Sequence, residues 1–371
     1  MLSMRVLVLA TTYPDPAGGK SLMYVHVRNV TYRDHGIQVT VLNFSAKNEY
    51  RIDGIDVIPE RNVTSDLIQT FDIVIAHAPN IRKHFRLLRR YIDEISHLVL
   101  FGHGHEFLRI NDCYPPEFPF ARNRLRRITV QDVYDLFKLK CWRRFISDYA
   151  DKTTCVMVSQ WMLNSFCKYV LRGADAKGLD IRVIPNGIGK VFLTYSYDEK
   201  CDKEFDFITI RSSFDSPKYC IDVVVEAAVL NQNMKFLLIG KGDYFKYNEL
   251  PKNMTLIDRT LSHEEMLKYV NRSRFALMPT RQDTQGVMAC ELATYGIPVI
   301  TSDIEICREM LSSFSNVLLL DTDSLALNLR KGRALCEAVE MSTDKNLTFS
   351  EENTVKVEIS LLRELANGKN S

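Results

Sequence analysis

The chain lacks any apolar run long enough to cross a bilayer. Near its start the longest is VLVLA at 6–10, too short for the core of a signal peptide and followed by TTYPDP without a small-residue cleavage site. A transmembrane or exported protein is therefore not expected, and the cytoplasm is the expected compartment. The nine cysteines, at 113, 141, 155, 167, 201, 220, 290, 307 and 336, contain no CxxC pair and no zinc-ligand grouping, so reduced, packed thiols are expected rather than a disulfide framework or a metal knuckle. There is no GxxxxGK[ST] phosphate loop and no HExxH helix. A doubly acidic DxD appears only as DTD at 321–323, where it reads as a turn after a terminal strand. Low-complexity and collagen-like stretches are missing too.

What is present is the composition of a folded globular chain, 46% hydrophobic and 25% charged over 371 residues, which is more than one core usually serves. The net charge of +2 conceals an asymmetry: residues 1–186 carry 26 Lys and Arg against 19 Asp and Glu, the remainder 22 against 27. The positive half concentrates its charge in RKHFRLLRRY (82–91), RNRLRR (122–127) and WRR (142–144), each interleaved with aromatic or aliphatic residues. A solvated helix face would account for such clusters. So would contact with an anionic surface of phospholipid headgroups or lipid-linked phosphate. Nucleic acid is not an expected partner, because no RNA-binding signature or recognition-helix pattern accompanies the charge.

Strand and helix signals alternate from end to end, the mark of parallel sheets flanked by helices. RVLVLAT (5–11), QVTVLNF, FDIVIAHA (71–78), HLVLFGHGHE (97–106) and KTTCVMVS (152–159) read as strands. MYVHVRNVTYRDHG (23–36) reads as a helix ending on Gly36, and Ser159 is placed to cap the helix QWMLNSFCKYVL. IRVIPNGIGKVF (181–192) breaks the pattern and marks a hinge. The alternation then restarts with FDFITIRSS (205–213), YCIDVVVEAAVLN (219–231), MKFLLIGKGDYF (234–245), MTLIDR (254–259), a helix opened by Ser262 with Glu265 at the capping-box position, RFALMPT, GVMACELATYG, IPVITSD and VLLL (317–320). EENTVKVEISLLREL (351–365) reads as a last helix. The expectation is α/β, two doubly wound Rossmann-like domains: residues 1–186, then 187–350, with the 351–371 helix packing back on the first. Ligands of such sheets sit outside the carboxyl ends of the strands, and two such domains present one another with a cleft.

The order RSSFDSPK, IGKGD and PTRQDTQGVMACELATYGIPVITSD, preceded by the linker VIPNGI, resembles the C-terminal domain of retaining nucleotide-sugar glycosyltransferases of family 4, which have the two-domain B-type fold. The first half resembles the matching acceptor-side domain through the GG loop after its first strand and through HGHE. The resemblance implies a donor site for a nucleoside diphosphate sugar. Its signature is two glutamates with seven residues between them, the first on the sugar and the second on the ribose; this chain has Asp283 and Glu291 there, a departure of one methylene at the first position. Arg211 and Lys218 resemble the family's cation pair for the departing diphosphate, and His103 of HGHE the histidine near the reacting sugar. Thr284, Gln285 and Gly286 belong to the donor loop. Gly240 and Gly242 of IGKGD fall beside the nucleotide, and Gly18 and Gly19 where the backbone approaches the donor phosphates or the acceptor.

The residues also carry their own chemistry. A carboxylate such as Glu291 can accept two hydrogen bonds from vicinal hydroxyls, a helix opening near Gly286 offers free amides to anionic oxygen, and Arg and Lys can take up leaving-group charge without a metal. No cofactor and no metal are therefore expected. The implied activity is a metal-independent retaining hexosyltransferase, acting on a lipid-linked or saccharide acceptor in capsule, exopolysaccharide or lipopolysaccharide synthesis and lying peripherally on the inner membrane face. A nucleotide-sugar epimerase of the same fold and a catalytically inactive donor-binding homologue are the alternatives. A hinged solute-binding protein would need an export signal.

Overall fold

The computed structural model describes residues 3–16, 22–120, 124–173, 178–325, 329, 334 and 345–368. Contacts divide the chain into two units: Met1–Arg109, Val133–Pro185 and Glu351–Ser371 form the first, and Ile110–Asp132 with Asn186–Ser350 the second.

In the first unit, β1 (Arg5–Ala10), β2 (Gln38–Asn43), β3 (Tyr50–Ile52), β4 (Ile55–Pro59), β5 (Ile73–His77), β6 (Leu98–Gly102), β7 (Thr153–Met157) and β8 (Asp180–Val183) form one sheet in the order β3-β4-β2-β1-β5-β6-β7-β8. The pairs are parallel except β3 with β4. Sequences such as VLVLA and IVIA are apolar at every position because helices cover both faces of a parallel sheet. Val6, Val8, Ile73, Ile75, Val99 and Phe101 meet in one core with Val25 and Tyr32 of α1 (Met23–Asp34). Two features are not evident in the sequence pattern. One is the short β3–β4 hairpin. The other is the long helix of residues 124–148, whose buried positions include Asp135 and Lys138.

The second unit is built on β9 (Phe205–Ile210), β10 (Phe236–Gly240), β11 (Met254–Asp258), β12 (Ser273–Met278), β13 (Val299–Ser302) and β14 (Val317–Leu320), ordered β11-β10-β9-β12-β13-β14 and parallel throughout. Segment 110–132, which the sequence reading leaves in the first half, groups with this unit. Its Phe118 and Phe120 pack their rings 5.1 and 6.1 Å from Tyr244, and Phe120 stacks on Tyr247 at 4.7 Å.

The helix signals that rest on specific side chains are realised. Ser159 accepts a hydrogen bond from the N–H of Met162 at 3.0 Å, and Ser262 and Glu265 form a reciprocal capping box. The closing helix, Val355–Asn367, buries Ile359, Leu361 and Leu362 in the first unit's core. The described cysteines are unbridged. Among the described residues no helix is long and apolar enough to cross a membrane.

Candidate active site

At the carboxyl end of β9 the chain buries a cation. Arg211 is 8% exposed; one guanidinium nitrogen donates to the carbonyl of Pro279 at 2.6 Å, and its Nε has no partner. Burial lowers the Arg211 pKa, and the nearby Asp283 charge works in the opposite direction. The Tyr219 ring lies against two cations, the Arg211 guanidinium at 5.2 Å and the Lys218 ammonium at 4.6 Å. The ring of Tyr114 meets the same ammonium at 5.2 Å. Arg211 and Lys218 are thus brought together by a tyrosine that nothing in the sequence had singled out.

The Lys218 loop is itself held by Arg281. That guanidinium pairs with both carboxylate oxygens of Asp222 at 2.9 and 2.7 Å and donates to the Pro217 carbonyl at 2.8 Å. The arginine in the PTRQD stretch therefore positions the lysine, a role visible only once β9 and β12 lie side by side.

Between β12 and the helix Val287–Tyr295 runs the loop of Asp283, Thr284, Gln285 and Gly286. Asp283 accepts from the Thr284 N–H at 2.8 Å through one oxygen. Its other oxygen stands 3.9 Å from where a Cβ on Gly286 would be. Gly286 has φ +74, a left-handed conformation that glycine takes without cost, and no side chain caps the helix it opens. The amides of that first turn therefore offer their positive end to an incoming oxygen.

Gln285 is committed differently. Its amide oxygen accepts from the backbone and side chain of Asn186, each at 2.8 Å, and its amide nitrogen donates to the Asn186 carbonyl at 2.8 Å. It holds the IPNG turn, whereas the sequence reading put it in the donor loop. Glu291 is 4% exposed on the same helix and accepts from the Gly189 N–H at 2.9 Å.

Burial raises the Glu291 pKa from 4.5 to about 7, the Gly189 amide opposing it. A carboxyl whose folded pKa is raised stabilises the fold fully below pH 4.5 and loses that contribution as pH rises through 7. Unfolding measured in urea at several pH values should therefore show Glu291→Gln gaining about 2–3 kcal/mol relative to wild type between pH 5 and 8. A flat difference would mean that the carboxyl is ionised throughout.

Gly240 and Gly242 are required by chain packing on chain. A Cβ on Gly240 would collide with the Arg211 carbonyl oxygen, and one on Gly242 would come within 3.0 Å of Asp215 and of Phe214. Gly240→Ala should cost about 2–4 kcal/mol in chemical denaturation, because the backbone that carries Arg211 must move.

In the first unit β6 ends at Gly102, and the chain turns instead of continuing as the strand that would put His103 and His105 on one face. The cause is Glu106, whose carboxylate folds back to accept the N–H groups of His103 and of Gly104, the latter at 2.8 Å. His105 is exposed, and His103 turns inward to meet Nδ1 of His77 with its Nε2 at 3.1 Å. Burial, then the Arg28 charge, lowers the His103 pKa to about 3, and burial lowers that of His77 as well. Both imidazoles are neutral near pH 7. Gly18 and Gly19 lie outside the described residues. Asp321 of the DTD stretch accepts from the Ser324 N–H and hydroxyl at 3.1 and 2.8 Å, as a turn residue does.

Two α/β units, each built on a largely parallel sheet, have the fold of the glycosyltransferase B type, as their likeness to solved structures shows. A sucrose-phosphate synthase from Thermosynechococcus elongatus superposes with a TM-score of 0.65 at 14% identity, covering 98% of this chain and 99% of that one. WaaG, a glycosyltransferase involved in lipopolysaccharide biosynthesis, does so with a TM-score of 0.56 at 14% identity, covering 98% and 99%.

Residues 210–331 match the family model for glycosyl transferases group 1. An uncharacterized glycosyltransferase of Methanocaldococcus jannaschii is 23% identical over 344 residues, 87% of this chain and 86% of that protein. The matched span contains Arg211, Lys218, Gly240, Gly242, Asp283, Gly286 and Glu291.

Proposed function

We propose that the protein transfers a hexosyl unit from a nucleoside diphosphate sugar to a hydroxyl of a saccharide or lipid-linked acceptor, with retention of configuration, in the assembly of a cell-surface polysaccharide. The observation that carries this reading is the buried Arg211 guanidinium, with an unpartnered Nε and a carbonyl rather than a carboxylate as its hydrogen-bond acceptor. An unpaired buried charge is expensive unless a partner arrives, and a diphosphate is such a partner. Lys218 stands on the same tyrosine ring, so both cations can meet the charge that grows on the leaving group in an oxocarbenium-like transition state. Asp283, beside Arg211, is assigned to the sugar and Glu291 to the ribose diol. His103, neutral and directed at His77, is assigned to a sugar hydroxyl. The donor's charge is met by side chains, and the reading requires no metal or cofactor. The WaaG likeness supports the polysaccharide context.

The test is a thermal-shift screen against a panel of nucleoside diphosphate sugars, since only a ligand of the folded state stabilises it by mass action. One member should raise the midpoint in wild type and not in Arg211→Ala. Incubating that donor in labelled form with no acceptor separates transfer from epimerisation, because an epimerase alone would convert the sugar. The absence of any shift across the panel would refute the reading.

A further inference from the structure

The second half of the helix Arg124–Asp148 buries Leu139, Trp142, Phe145 and Ile146 on one side and leaves a second apolar face uncovered. From residue 133 onward it buries a charged pair and exposes apolar side chains. Asp135 and Lys138 are buried, joined at 2.7 Å, and the Lys138 ammonium also donates to the carbonyls of His105 and Leu108 at 2.6 and 2.9 Å. Val133 is 64% exposed, Leu136 54% and Phe137 56%. The outward positions 133, 136, 137, 140 and 144 follow helical spacing, so Val133, Leu136 and Phe137 lie on one face with Lys140 and Arg144. No acidic residue is exposed between 133 and 144.

Beside this face runs the segment 81–91, whose Phe85 packs its ring 5.1 Å from Trp142 and 5.6 Å from Phe145. Its exposed side chains are Arg82, Arg86, Arg89 and Arg90, and it contains no acid. The Arg82 charge is felt at Tyr134, and those of Arg89 and Lys140 at Cys141, which places the arginines along the same helix. Arg86 and Arg144 each share an acid, Glu60 and Asp148. Arg82, Arg89, Arg90 and Lys140 make no ion pair among the described residues.

We propose that this face docks in the plane of a bilayer bearing anionic phospholipid headgroups, Val133, Leu136 and Phe137 entering the acyl boundary and the flanking cations meeting the phosphates. Exposed aliphatic and aromatic side chains inside a rim in which cations outnumber acids, four of them without an ion pair among the described residues, suit that boundary. A nucleic acid would use the charge and leave the valine and leucine without a partner. A second copy of the chain would set two cationic rims against each other. The inference goes beyond the transfer reaction, and its readout needs no donor or acceptor.

The experiment is flotation of the full chain with vesicles of phosphatidylcholine alone or mixed with phosphatidylglycerol. Wild type should bind the mixed vesicles at least about tenfold more tightly than the neutral ones, and binding should weaken as salt is raised from about 0.05 to 0.5 M. The double substitutions Leu136→Ser with Phe137→Ser, and Arg82→Glu with Arg89→Glu, should each lower binding at least about tenfold, with circular dichroism unchanged because the sites are exposed. A Phe137→Trp variant should shift its emission to the blue on mixed vesicles. The proposal is overturned if wild type ignores the mixed vesicles or if the serine pair binds them as well as wild type. It is also overturned if RNA displaces the vesicles, or if the serine pair converts a dimer in solution into a monomer.

Discussion

Arg211→Ala will lower kcat/KM for sugar transfer by about 10²–10³-fold while leaving the protein as stable as wild type, or slightly more so. The two halves of this expectation share one cause. Arg211 lies buried with a carbonyl on one nitrogen and nothing on Nε, so the resting protein carries a desolvation cost that the substitution removes. A charge placed where anion develops in the transition state typically supplies two to three orders of magnitude. Arg211→Lys should recover little of the rate, because an ammonium on a flexible stem cannot reproduce the planar fork that reaches Pro279 and a phosphate together.

Steady-state kinetics and urea denaturation of the same preparations check this. A lowered kcat together with a raised KM for the donor, at unchanged or improved stability, is the expected pattern. Turnover by the alanine variant at wild-type rates would remove Arg211 from the proposed chemistry. A large loss of stability would show that it serves the fold instead.

The sequence made most of the second unit legible because local and long-range signals agree there. Strands such as FLLIG and FALM are apolar at every position, the helix after Ser262 is announced by a capping box, and Gly286 and Gly296 bracket the helix carrying Glu291. What escaped depends on partners distant in sequence. Tyr219 acquires its place between Arg211 and Lys218 only when β9 delivers the arginine. Gln285 is drawn to Asn186, a residue 99 positions away, a commitment that its place in the loop did not announce. The helix of residues 124–148 was hidden for a related reason. Reading amphipathicity assumes that apolar faces point inward, and here Asp135 and Lys138 point inward while Leu136 and Phe137 do not. In HGHE the expected strand gives way to a turn because Glu106 claims the amides that would have extended it.

Glu358→Ala should destabilise the first unit by about 3–5 kcal/mol, the largest effect on stability expected of any single substitution outside the hydrophobic core. Glu358 is 0% exposed on the closing helix and Arg28 3% on α1. The Arg28 guanidinium donates to both carboxylate oxygens at 2.7 and 2.8 Å, and the Tyr32 hydroxyl donates to one of them at 2.6 Å. Removing the carboxylate leaves a buried cation and a buried hydroxyl without their acceptor, and it is this orphaning, more than the loss of attraction, that is costly. Replacing the pair together, as Arg28→Met with Glu358→Leu, should restore most of the loss, since an apolar pair of similar volume incurs no desolvation.

The same cation lies 5.4 Å from the ring of Phe101 on β6 and acts on the neighbouring His103. Freed of Glu358, it should therefore disturb the imidazole pair as well as the helix packing. A double-mutant cycle by urea denaturation, with the His103 imidazole signals followed by NMR, measures both effects. Additive single losses, with no recovery in the apolar pair, would show that the contact between the closing helix and α1 is held by Ile359, Leu361 and Leu362 alone.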